Sequence, residues 1–99
     1  MRVLVIADHA TCLAFSLGGI ATRSVNGQEE AQAALDFALQ NREIGLVLIT
    51  EKIASLIRLK VDEVMHTQQQ LLVVEIPDTE GPLPGRLSAR EIMASLMGH

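Results

Sequence analysis

Aromatic residues are almost missing from this 99-residue chain: Phe15 and Phe37 stand alone, with no Tyr and no Trp. The core must therefore be aliphatic, and a surface that stacks nucleic-acid bases on rings is not expected. Cys12 is the single cysteine, so no disulfide can close within the chain, which fits a reducing compartment. Positive charge is short too, with 8 Lys and Arg against 12 Asp and Glu and a net charge of -4. No basic patch or tail appears, which argues against nucleic acid and anionic membrane as partners. No apolar run approaches the roughly 20 residues that cross a bilayer, so direct membrane insertion is not expected. The opening Met1 to Ile6 is too short for a signal sequence, and no cleavage signal follows. The expected place is the cytoplasm, either free or on the periphery of a membrane-attached complex. Glycine is missing after the first apolar run, where Ala7-Asp8-His9-Ala10-Thr11-Cys12 stands, and no Walker sequence occurs. A nucleotide site would need glycines there to let the backbone approach a phosphate.

Aliphatic side chains are what the chain has in plenty, with 48% hydrophobic residues and the length of one domain. Ile44-Gly45-Leu46-Val47-Leu48-Ile49 is apolar throughout and then turns polar at Thr50-Glu51. Continuous rather than alternating apolar character predicts a strand covered on both faces. Val3 to Ala7 is a second run of this kind, and Leu71 to Ile76 a third, with Glu75 placing one end toward solvent. Ile20 to Val25 is diluted by Thr22, Arg23 and Ser24, as suits a sheet edge.

Helical segments lie between these runs. Asp8 can cap a helix from about His9 to Leu17, with Cys12, Leu13 and Phe15 or Ser16 near one side and Gly18-Gly19 as its stop. Asn26 and Glu29 resemble a capping box ahead of the stripe Ala31, Ala34, Leu35, Ala38 and Leu39. Thr50 can cap one long helix from Glu51 to about Thr67, with Ile53, Leu56, Ile57, Val61, Val64 and Met65 inward. Pro77 to Arg86 holds all three prolines and reads as a loop. Leu87-Ser88-Ala89-Arg90-Glu91-Ile92 then starts a final helix with the stripe Ala89, Ile92, Met93, Leu96 and Met97. The division is an α/β core over 1–76, a loop over 77–86 and a helix over 87–99, packed on the core or mobile.

Alternating strands and helices predict a parallel sheet with both faces covered and right-handed crossovers. The two most apolar strands belong in the middle. The expected fold is an α/β three-layer sandwich, flavodoxin-like, with a four-stranded sheet ordered 2-1-3-4 and a C-terminal helix. Chain direction reverses between strands one and three, so a ligand crevice would open between Asp8 and Thr50.

That crevice is poorly furnished. A phosphoacceptor receiver domain, alike in architecture, needs an acceptor Asp where Thr50 stands and a second acidic residue beside Asp8. A phosphocysteine carrier needs a thiolate at the strand end. Cys12 lies about one helical turn beyond that point. His9, His66 and His99 are far apart and show no ligand spacing. No metal, no other cofactor and no catalytic residue is expected. A stand-alone phosphocarrier or small-ligand domain using Asp8 and Cys12 is the rival reading.

The chain resembles the F subunit of the V-type and archaeal-type rotary ATPases over nearly its whole length. Three segments carry the resemblance: Val5-Ile6-Ala7-Asp8 with Ala14-Phe15-Ser16-Leu17-Gly18-Gly19-Ile20, then Ile44 to Ala54, then Val74-Glu75-Ile76-Pro77-Asp78-Thr79-Glu80-Gly81-Pro82. Ala14 stands where the family often has Gly. The resemblance implies a non-catalytic central-stalk (rotor) component that binds the coiled-coil shaft, the D subunit of these ATPases. It also implies transient contact with the catalytic head, and a part in coupling or regulating ATP hydrolysis or synthesis with proton or sodium transport. Apolar surface for the shaft would come from Phe15, Leu17 and Ile20, or from Ile92, Met93, Leu96 and Met97, where flexible Met side chains suit adaptable contacts. The final stripe could instead simply cover the sheet.

Overall fold

The computed structural model describes residues 2–68, 70–77 and 96. Four strands, β1 (Arg2–Ala7), β2 (Ala21–Ser24), β3 (Ile44–Thr50) and β4 (Leu72–Ile76), form one parallel sheet in the order β2-β1-β3-β4. This is the expected 2-1-3-4 sheet. Leu4 lies beside Ala21 on one side and Val47 on the other, and Leu48 lies beside Val74. The two most apolar strands are central, because a strand with neighbours on both sides and helices on both faces has no place for a polar side chain. The short polar β2 forms one edge.

Helix α1 (His9–Ser16) covers one face, and α2 (Gln28–Gln40), α3 (Glu51–Leu56) and α4 (Arg58–Thr67) cover the other. The α2 stripe is as its sequence implies, with Ala31, Ala34, Leu35 and Ala38 buried and Leu39 partly so. Its alanines carry no bulk beyond Cβ, so the helix axis can approach the sheet closely. Leu4, Ile6, Val47, Ile49 and Val73 meet it and its neighbours from the sheet. The smaller cluster on the α1 face joins Val5, Ala7, Cys12, Phe15, Leu48 and Ile76.

The structure departs from the expected local features at several points. The long helix expected from Glu51 is two helices, broken at Ile57, where φ is -130° and ψ is 40°. Ile57 keeps its side chain buried through the break. The next residue, Arg58, forks onto Glu75 of β4, with Nη1 donating to Oε2 at 2.6 Å and Nη2 to Oε1 at 2.8 Å. The break turns Leu56 outward, and Met65 is also exposed, so neither belongs to the buried stripe. Glu75 lies beside Ile49 in register and is held by Arg58. Asn26 does not cap α2: the cap position is Gly27, and no side chain bonds to the helix start. Gly19 takes φ +82° in the turn after α1, a conformation that favours glycine and stops the helix. The 77–86 loop and the final helix lie outside the described residues, apart from Pro77, which is buried, and Leu96, which is helical and 42% exposed.

Candidate functional site

Flavodoxin-like sheets place chemistry at the carboxyl ends of the strands, beside the point where strand order reverses. Here that point lies between β1 and β3. Asp8 follows β1 with extended dihedrals at the cap position of α1, yet its side chain makes no cap hydrogen bond. It accepts instead from the hydroxyl of Thr11, Oγ1 to Oδ1 at 2.5 Å. Thr11 is fully buried. Thr50 caps α3 by position but likewise makes no side-chain cap bond, and its buried hydroxyl has no hydrogen-bond partner among the described residues. Alternation along β3 puts Thr50 on the face of Leu48, toward α1.

Cys12 lies one turn into α1 and is 4% exposed. Its thiol points back to the strand, with Sγ donating to the carbonyl oxygen of Ala7 at 3.6 Å. Burial pushes its pKa above the ordinary value, and the negative charge of Asp8 adds to the rise. The thiol is thus held protonated, the opposite of what a thiolate nucleophile requires. Two of the side chains here serve the fold: Asp8 accepts the Thr11 hydrogen bond and Cys12 fills space under α1. Among the described residues no group of three or more His, Cys, Asp or Glu could hold a metal ion. His9 and His66 are exposed, and His66 Nδ1 lies 2.7 Å from the Asp62 carbonyl one turn earlier in its own helix. His99 lies outside the described residues.

Of the residues expected to meet a partner, the described ones differ in exposure. Phe15 is fully buried in the α1-face cluster, so it supplies packing and no surface. The physical reason is that a lone ring against an aliphatic sheet is the largest apolar side chain α1 can bury. Leu17, at the end of the same helix, is 82% exposed. Ile20 is half-buried against the same cluster as Phe15. It also lines an open groove of about 630 Å³ with Arg2, Val3, Ser16, Gly19 and Ala21. Ile92, Met93 and Met97 lie outside the described residues, and Leu96 keeps partial exposure.

Other apolar side chains are exposed that the sequence does not assign to a partner surface: Leu13, Phe37, Leu56, Leu59, Leu72 and Val74. Phe37 had a readable signal, since it falls outside the α2 stripe. Arg23 reaches over it, with its guanidinium carbon 4.0 Å from the ring centroid. No helix among the described residues is long and apolar enough to cross a membrane.

Fold and site together define a class: a small flavodoxin-like α/β module whose strand-end side chains are taken up in packing and whose apolar side chains reach out at its periphery. Residues 3–93 match the family model for the ATP synthase (F/14-kDa) subunit. The A-type ATP synthase F subunit from Methanocaldococcus jannaschii is 31% identical over 99% of this chain and 96% of its own length. Its namesake from Methanococcus maripaludis is 34% identical over 84% of this chain and 80% of its own. A third, from Thermococcus gammatolerans, is 31% identical over 99% and 95%. The chain belongs to this ATP synthase F-subunit family, a non-catalytic component of the rotary ATPase.

Proposed function

We propose that this chain is a central-stalk rotor component that binds the coiled-coil shaft, the D subunit of the complex. In that place it helps couple or regulate ATP hydrolysis or synthesis with proton or sodium transport, and it meets the catalytic head transiently. The position is peripheral to the membrane, on the cytoplasmic side. The observation that carries this reading is the family match, which spans residues 3–93 and so takes in both the α/β core and the start of the final stripe. The build of the core agrees with it. A part that passes torque or a signal between larger subunits needs a stiff body and outward contacts, not a reactive cleft. Two buried central strands supply the first. Leu17 and Ile20, or the stripe Ile92, Met93, Leu96 and Met97, supply the second.

Binding to the purified shaft protein tests the proposal. The wild-type chain should form a stable complex with it on gel filtration. Met93→Asp with Leu96→Asp should weaken that complex while the far-UV circular dichroism of the sheet is retained. Unchanged affinity would remove the C-terminal stripe from the interface and leave the α1 end. The phosphocarrier alternative predicts that Cys12→Ser abolishes phosphoryl transfer. The burial of Cys12 gives that alternative no support.

A further inference from the structure

What sets Arg23 apart from the other described cations is an aromatic ring beneath it, since Arg42 and Lys52 likewise show no carboxylate partner among the described residues. Arg2 pairs with Glu43, Arg58 with Glu75 and Asp62, and Lys60 with Asp36. Arg23 has no carboxylate partner among the described residues, although acidic residues outnumber basic ones by 12 to 8 in the chain. Its place in the fold is defined. In register it lies beside Ile6, whose side chain belongs to the α2-face core, so Arg23 emerges on the α2 side of the edge strand β2. There it meets Phe37, 38% exposed on the outer surface of α2, at 4.0 Å from the ring centroid. A guanidinium held over a ring by cation–π attraction still has N–H donors to offer, in the fork that matches a carboxylate. The stack also restrains a long side chain before any partner arrives, which lowers the entropy lost on binding. Arg and aromatic residues together are the side chains that most often dominate protein interfaces. Phe37 is the one aromatic residue of the chain that reaches solvent, since Phe15 is buried.

We propose that Arg23, laid on Phe37 beside the edge strand β2, is a docking point for a carboxylate on a helix of the shaft. The proposal rests on the stalk reading above, which makes the occupant a coiled coil. Coiled-coil surfaces carry Glu at the positions flanking their apolar seam, so a helix crossing the β2 edge can offer an acceptor to Arg23. A purely internal role would also account for a stacked pair, but it would be indifferent to the partner. The experiment separates the two.

The full chain and its variants are titrated with the purified shaft protein at low and high salt. If the wild-type chain does not bind, the stalk reading itself fails. If it binds, Arg23→Glu should weaken affinity by about 10-fold or more, because a like charge then faces the partner's carboxylate. Arg23→Gln should weaken it less and flatten its salt dependence. Arg23→Lys should recover part of the affinity, since the charge returns without the fork. Melting temperatures of the free variants identify any that are misfolded, and Arg23→Gln serves if Arg23→Glu does not fold. Wild-type affinity and salt dependence retained in folded Arg23→Gln and Arg23→Glu would overturn the proposal and leave the stack an internal contact.

Discussion

The two faces of the sheet are made by the same strands, but the described residues cluster on them very unequally. Among the described residues, seventeen buried side chains form the cluster on the α2, α3 and α4 face, and six form the one on the α1 face. The lengths of the described helices run the same way. Helix α2 has 13 residues, and α3 with α4 adds 16, whereas α1 has 8 and is about 12 Å long. A helix about 10 Å wide spans two strands set about 4.8 Å apart. Packed over β1 and β2, α1 shares its cluster with Leu48 of β3 and with Ile76 at the carboxyl end of β4. On that side of β4 Ile76 is buried, while Leu72 and Val74, earlier in the strand, are 62% and 38% exposed. Among the described residues, one face is a broad core. Among the described residues, the other is a smaller cluster with apolar side chains exposed at its β4 margin.

If the thin face depends on a few anchors, one truncation there should cost as much as any in the broad core. Phe15→Ala removes the largest fully buried side chain among the described residues from a cluster that counts six of them. The expected loss is about 3–5 kcal/mol, measured by urea unfolding. A loss below about 1 kcal/mol would show that α1 repacks freely, and the distinction between an anchored and a filled face would fail.

Much of this layout was legible in the chain. Val3 to Ala7 and Ile44 to Ile49 announced themselves as central strands because burial on both faces removes the polar alternation of a half-exposed strand. The α2 stripe was legible from its spacing. The break at Ile57 was not, because Ile53, Leu56, Ile57, Val61 and Val64 fit one helix as well as two. The Arg58 to Glu75 contact that accompanies the break spans seventeen positions of sequence. Phe15 was assigned to the surface because an eight-residue helix has too few positions to show which side faces inward. The Arg23 and Phe37 pair was invisible for a related reason: it joins an edge strand to a helix face, and neither periodicity nor spacing encodes that contact.

The thin face also carries a titratable group, and its ionisation offers a second probe. Cys12 has its pKa raised by burial above the ordinary 9.0. The unfolded thiol therefore ionises first as pH rises, so the unfolded state binds fewer protons and gains relative to the folded state. Stability from this group is constant below about pH 8. It falls as pH rises through about 9, by at most about 1.4 kcal/mol per unit, until the folded thiol also ionises. Cys12→Ala should flatten that part of the wild-type stability profile after its constant offset is subtracted. Equal slopes for the two proteins between about pH 8 and 10 would mean that the thiol reaches water, and that α1 covers its face less well than the buried cluster implies.

The smallest expected effect tests the open margin itself. Val74→Thr and Leu72→Thr place a β-branched residue that suits a strand while making the exposed side chains polar. Each should change stability by no more than about 0.5 kcal/mol, because a side chain already in water gives up little by becoming polar. The same Val→Thr change at Val47, which is fully buried in the central strand, places a hydroxyl in a dry core and should cost about 1–3 kcal/mol. The comparison is internal, since the two substitutions sit in strands paired directly with each other. If Val74→Thr costs as much as Val47→Thr, the β4 margin is covered in solution and the two faces are equally closed. If it costs nothing while weakening assembly with the shaft, the margin is a contact surface and joins the exposed Leu17 at the end of α1.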